Sequence, residues 1–185
     1  MNTSLIGYIS LVCFVGCLCA CRNVANRGVQ SQNIPNDEKG PRPSLDTRKE
    51  VLLKKVAIKI ALLEDLGLRG KATTKDFGAY FILVDEDELE YFTSLFEGNI
   101  PRVELSTDRD GKFKNLVTEN GALLDRLTKK QGVIYGFQKL ESTDDHAEAE
   151  VIESFAMLGA NIHTYTLVRQ NGKWIIRNHS RQPLS

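Results

Sequence analysis

Cys13, Cys17, Cys19 and Cys21 stand in "LVCFVGCLCACRN" (residues 11–23), and the rest of the 185-residue chain holds no cysteine. Thiols so spaced could bind a metal, form crosslinks or carry a covalent group. Cys17-x-Cys19-x-Cys21 has a ligand-like spacing, but no His or acidic side chain stands beside it, which argues against a zinc site. A disulfide framework needs a second cluster of cysteines, and the sequence has none. Cysteine is also a small hydrophobe, a reading that accounts for Cys13, Cys17 and Cys19 as fillers of an apolar run. Elsewhere, His146, Glu148 and Glu150 would project from one face of a strand. Residues four apart on a strand are separated by about 13 Å, so the three cannot close on one ion, and a solvated polar face is the simpler reading. Asp108-x-Asp110-Gly111 resembles a fragment of a calcium loop. With Gly111 as the sixth position, the twelfth is Val117, where a bidentate Glu is required, so a plain turn is expected. His163 reads as a rim residue ahead of a strand and His179 as part of a C-terminal tail. No Gly-x-Ser-x-Gly elbow, Gly-x-Gly-x-x-Gly turn or P-loop is present in the sequence. No catalytic residue, metal or cofactor is therefore expected. Asn178-His179-Ser180 is a glycosylation sequon, of consequence only in a eukaryotic source.

The elements that must carry these residues begin with an apolar segment. Leu5–Ala20 is an uncharged run of 16 residues ended by Arg22. As a helix it would measure about 24 Å, short of the roughly 30 Å hydrocarbon core, which fits the h-region of a signal peptide better than a permanent span. No Lys or Arg precedes it, so charge specifies its orientation weakly. Leu18-Cys19-Ala20-Cys21 resembles the lipobox of bacterial lipoproteins, with Cys17 closing a poorer second candidate that begins at Phe14. The resemblance implies cleavage between Ala20 and Cys21, a diacylglyceryl group on the Cys21 sulfur and fatty acylation of the new amino group. Two or more acyl chains hold a protein stably on a membrane. The expected location is the bacterial cell envelope, on the outer membrane or the periplasmic face of a membrane.

The expected organisation is a signal peptide over 1–20, a lipid-anchored tether over 21–44 and one α+β domain over 45–185. The tether is rich in Asn, Gln, Gly, Pro and Ser and cannot bury enough apolar area to order itself. Lys plus Arg and Asp plus Glu both number 24 and are interspersed, leaving no basic face for nucleic acid. Asp46 or Thr47 can cap a helix running to about Leu66, with Leu52, Val56, Ile60 and Leu63 on its inner face and Leu53, Ala57 and Leu66 beside them. Ala79–Val84 reads as a strand. Asp85 and Glu88 form a capping box for a helix that buries Leu89, Phe92, Leu95 and Phe96 and stops at Gly98 and Pro101. Residues 102–130 carry little pattern. From Gly132 the chain reads as a meander. Val133–Leu140 is a strand. His146–Ala156 is a second, with Ala147, Ala149, Val151 and Phe155 on one face. Two further strands flank Asn171-Gly172, a strong hairpin signal.

Helices followed by antiparallel strands give an α+β class, expected as N-terminal helices packed on a curled antiparallel sheet. The ending "YTLVRQNGKWIIRN" is similar to the last hairpin of nuclear-transport-factor-2-like domains, where a Gly-Lys-Trp turn is common. That resemblance implies a sheet curled into a cone that holds a ligand, an active site or nothing. Trp174 reads as a core residue of the hairpin whose indole could also line a cone. The expected role is that of a non-enzymatic envelope lipoprotein binding a protein partner or a small apolar ligand. The alternatives are a cone-shaped isomerase or hydrolase acting on a small apolar molecule, and a lipid-anchored immunity or inhibitor protein.

Overall fold

Ser44 starts the first helix: its hydroxyl accepts the Thr47 N–H at 3.2 Å, and α1 then runs Leu45–Asp65. The expected cap is thus displaced. Asp46 and Thr47 lie in the first turn, where Asp46 complements the helix dipole. The computed structural model describes residues 44–69, 77–108 and 110–184. The signal peptide, the lipobox and residues 21–43 of the tether lie outside the described residues. Residues 43–185 group as one unit. No helix among the described residues is long and apolar enough to cross a membrane.

The inner face of α1 is rotated from the expected one. Ile58 and Leu62 are fully buried along with Val56 and Leu63, while Leu52 and Ile60 are only partly buried and Leu53 is exposed. β1 (Phe77–Leu83) follows, and its five central residues are buried. Tyr80 and Ile82 join the main core, whereas Ala79 and Phe81 pack on the opposite face against Phe113. A strand covered on both sides reads as a continuous apolar run rather than an alternating one. The capping box turn, Glu86–Glu88, leads into α2 (Leu89–Leu95). Glu88 reaches back to accept the Asp85 N–H at 3.1 Å. Phe92 and Phe96 are buried under α2, but Leu89 is exposed, so the helix presents a narrower face than expected.

β2 (Arg102–Ser106) returns parallel to β1, and β5 (Gln131–Ser142) lies parallel on the other side of β1. The expected curled antiparallel sheet is corrected here: the sheet is mixed and open, with β2, β1 and β5 side by side and parallel and the remaining strands antiparallel beyond β5. The physical reason is the connection through residues 84–101, long enough to cross over and bring β2 back in the same direction. Between β2 and β5 lies a small hairpin, β3 (Leu116–Glu119) and β4 (Ala122–Asp125). Its turn residues Asn120 and Gly121 have φ of 52° and 81°, the paired positive values of a type I′ turn. Asp108 and Gly111 pair as in the expected turn, the Gly111 N–H donating to the Asp108 carbonyl at 2.9 Å.

β5, β6 (His146–Ala156), β7 (Gly159–Gln170) and β8 (Lys173–Leu184) make the meander. Asn171 and Gly172 turn the last hairpin with φ of 52° and 77°. Two expectations change. β7 starts at Gly159, so His163 sits inside it and not at its rim. β8 runs on to Leu184, so His179 is a strand residue opposite Tyr165 and not part of a tail. β8 is an edge strand, which is why Pro183 is tolerated there.

Candidate functional site

The core face of the meander carries Ala147, Ala149 and Val151 on β6, then Glu153 at the next position but one. Strand alternation therefore turns an acid into the protein. Register places Glu153 opposite Tyr135 on β5 and Asn161 on β7. It also places His163 opposite Arg181 on β8, one alternation from the Tyr165–His179 pair. Seven side chains thus gather where the last residue of α1, Asp65, meets the sheet.

Their contacts form a connected chain. Glu153 accepts from Tyr135 Oη at 3.1 Å on Oε1, and from Asn161 Nδ2 and Arg181 Nη2, both at 2.8 Å, on Oε2. His163 Nε2 lies 3.3 Å from the same Oε2. The other His163 nitrogen, Nδ1, is 2.9 Å from His179 Nε2, and His179 Nδ1 is 3.1 Å from Asp65 Oδ2. Tyr165 stacks on His179 with ring centres 4.2 Å apart. His163 is buried, Glu153 is mostly so, and His179, Asp65 and Arg181 open to solvent.

The environment sets the charges. Burial pushes the Glu153 carboxyl up, but Asn161, His163, Tyr135 and the Arg181 charge together hold it below the usual carboxylate range. Burial pushes His163 below its ordinary value, helped by His179 and Arg181 and opposed by Glu153. Burial also raises the Tyr135 and Tyr165 phenols, with the Glu153 charge adding at Tyr135 and Asp65 adding at Tyr165. Chemically, Glu153 has four donors, and every nitrogen of both imidazoles faces an internal partner.

A second feature is a cleft of about 550 Å³ at the carboxyl ends of β1 and β2, bordered by β5 and β6. Leu83, Ile134, Phe137 and Ile152 give it an apolar floor, and Ser106 and Gln138 a polar rim. Its size lies within the usual range for small-molecule sites. In open sheets, ligands commonly settle beyond the carboxyl ends of parallel strands, where the loops diverge. Lys59 stands at its border with its ammonium on Glu88 Oε2 at 2.6 Å and Asp85 Oδ2 at 3.2 Å. Neither Glu153 nor a histidine lines this cleft.

The residues expected to be of interest fare differently. His146 and Glu148 are exposed on β6, and Glu148 pairs with Lys139 at 3.3 Å. Asp108 and Asp110 both face Lys112. Among the described residues, no group of three or more His, Cys, Asp or Glu side chains is arranged to hold a metal ion. Trp174 is partly buried against the core. Cys21 and Ala20 lie outside the described residues. His163 and His179 are brought together, and their acidic partners Glu153 and Asp65 were not singled out in the sequence. The signal for Glu153 was present: an acid stands where the alternation Ala147, Ala149, Val151 calls for an apolar side chain. No family model, no curated protein and no solved structure matches this chain. Its class therefore rests on its own architecture, an α+β fold with two α-helices and a mixed sheet among the described residues.

Proposed function

We propose that the chain is a cell-envelope lipoprotein, attached to a membrane through a lipid on Cys21, whose α+β domain binds a small apolar ligand or a protein partner and performs no catalysis. The anchoring half rests on Leu18-Cys19-Ala20-Cys21 at the end of an apolar run. The finer fold reading, a nuclear-transport-factor-2-like domain, rests on the helix α1 packed over a meander that ends in the Gly172-Lys173-Trp174 hairpin. The observation that carries the binding half is the closed state of the imidazole pair. The histidines that an isomerase or hydrolase would use have both nitrogens committed inside the protein, while the open cleft contains none. Cargo or partner recognition is what an apolar floor with a polar rim supports.

One observation favours the reading as an immunity or inhibitor protein that works by surface contact. Met157 and Leu158 are exposed in the β6–β7 turn, Leu158 at 86%. Such a tip suits a protein surface.

The cleft test uses Gly136, which lines the cleft floor. A Cβ added there meets only Leu83 Cδ1, at 3.5 Å, an ordinary contact. Gly136→Leu should therefore fold and fill the cleft. With the neutral fluorophore N-phenyl-1-naphthylamine as probe, the unaltered protein should bind saturably. Gly136→Leu should weaken binding by roughly tenfold or more at an unchanged unfolding midpoint. Equal binding by the two proteins, or none by either, removes the cleft from the account.

A further inference from the structure

We propose that Glu153, His163, His179 and Asp65 form a pH-sensitive clamp between the end of α1 and β8, closed when the two imidazoles share a single extra proton and released when they take a second. The chain has three contacts: His163 Nε2 with Glu153 at 3.3 Å, His163 Nδ1 with His179 Nε2 at 2.9 Å, and His179 Nδ1 with Asp65 at 3.1 Å. Each needs one hydrogen. Two neutral rings carry two between them, so one contact sets a lone pair against an acceptor. Two imidazoliums carry four, and two N–H groups then collide across the 2.9 Å gap. Three hydrogens, one extra proton on the pair, fill every contact once, whichever ring is drawn as charged.

Charge balance selects the same state. Glu153 and Asp65 contribute two negative charges and Arg181 one positive. One shared proton brings the sum to zero. The other groups facing the pair do not alter this count. Asn161 and Tyr165 on β7 and Tyr135 on β5 are neutral, as is Tyr80 on β1 behind Tyr135. Glu64, beside Asp65 on α1, is paired with Arg69. The burial that holds His163 below its ordinary value disfavours charge on that ring, so the one-proton state rests on the hydrogen count and not on this shift.

The clamp leaves a two-sided trace in stability. In the unfolded chain, two free imidazoles pass from no protons to two around pH 6.5, while the native pair holds one throughout. Above about pH 6.5 the native state binds one more proton than the unfolded state, so raising the pH favours unfolding. Below it, the unfolded state binds one more, so lowering the pH favours unfolding. The unfolding constant should thus be smallest near pH 6.5 and rise by up to about tenfold per pH unit on either side.

Two measurements on the full chain test this. The protein has 3 histidines, and the exposed ring of His146 serves as an internal reference. Two-bond nitrogen–proton spectra of histidine-labelled protein, recorded between about pH 8 and about pH 5, should show three ring hydrogens shared by His163 and His179. Two neutral rings across this range, or two imidazoliums in a protein that keeps its α1–β8 contact, overturns the proposal. Chemical unfolding over the same range should give the two-sided profile, flattened in His163→Gln. Asp65→Asn removes the charge that helps to select the shared proton and should abolish the limb above pH 6.5 while keeping the acid limb. A profile that is flat in the unaltered protein, or unchanged in Asp65→Asn, also overturns it.

Discussion

Replacing Lys59 with methionine should lower the unfolding free energy by about 3–5 kcal/mol. The size of the loss follows from what it leaves behind. The Glu88 side chain is fully buried, and Lys59 is 5% exposed. Glu88 Oε2 accepts from Lys59 Nζ at 2.6 Å and from the Asp85 N–H at 3.1 Å, while Oε1 has no hydrogen-bond partner among the described residues. Without the ammonium, a buried carboxylate keeps one backbone donor and no counter-charge. Removing one member of such a pair costs far more than the pair contributes over an apolar substitute. The same reasoning gives the control. Lys59→Met combined with Glu88→Gln retains an oxygen for the Asp85 N–H and buries no charge, so it should recover at least half of the loss. Urea unfolding of the three proteins makes the comparison. A single variant that loses less than about 1 kcal/mol, or a double variant no better than the single, would show that this pair is not an isolated buried charge pair.

Glu153→Ala should cost about 3 kcal/mol near neutral pH, because four donors lose their common acceptor: Tyr135, Asn161, His163 and Arg181. Arg181 is more than half exposed and can turn to water, so the cost falls mainly on the buried Tyr135, Asn161 and His163. The effect should depend on pH with a definite sign. The native carboxyl titrates below its ordinary value of 4.5. The stability that it contributes is therefore present above about pH 4.5 and is lost as the pH falls through the native value. The gap between the unaltered protein and Glu153→Ala should be widest above that point and close in stronger acid. Unfolding midpoints measured at a neutral and an acidic pH decide the matter. A gap that is constant with pH would mean that the loss is one of packing and not of the carboxylate.

Local patterns made part of this architecture readable in the sequence. Asn171-Gly172 fixed the last hairpin because only a few residue types accept two consecutive positive φ values. Asn120-Gly121 carries the same signal for β3 and β4, isolated in a stretch that otherwise lacks pattern. Ala79–Val84 was recognisable as a strand by its β-branched and aromatic content. The cap of α1 was misplaced because Ser44, Asp46 and Thr47 are all competent, and only the backbone decides among them. The parallel pairing of β1 with β2 and β5 was not readable. It depends on contacts between segments some 20 to 50 residues apart, as the register of Phe81 with Glu104 and Ile134 shows. The length of β8 was hidden because one of its edges faces solvent and its outer half is polar, so it lacks alternation. The site shows the same division. Glu153 is visible as a charge on an apolar stripe, but its meeting with His163, His179 and Asp65 needs the register of three strands and the end of a helix.

The proposed lipid anchoring depends first on Cys21. Mass spectrometry of the N-terminal peptide from membrane-extracted protein measures it directly. The predicted result is a chain that begins at Cys21 with a diacylglyceryl group on its sulfur, together with a Cys21→Ser variant that leaves the membrane fraction uncleaved and unlabelled by fatty acid or is found soluble. An unmodified Cys21 in membrane-associated protein, or a Cys21→Ser variant that remains acylated and membrane-bound, would contradict the account.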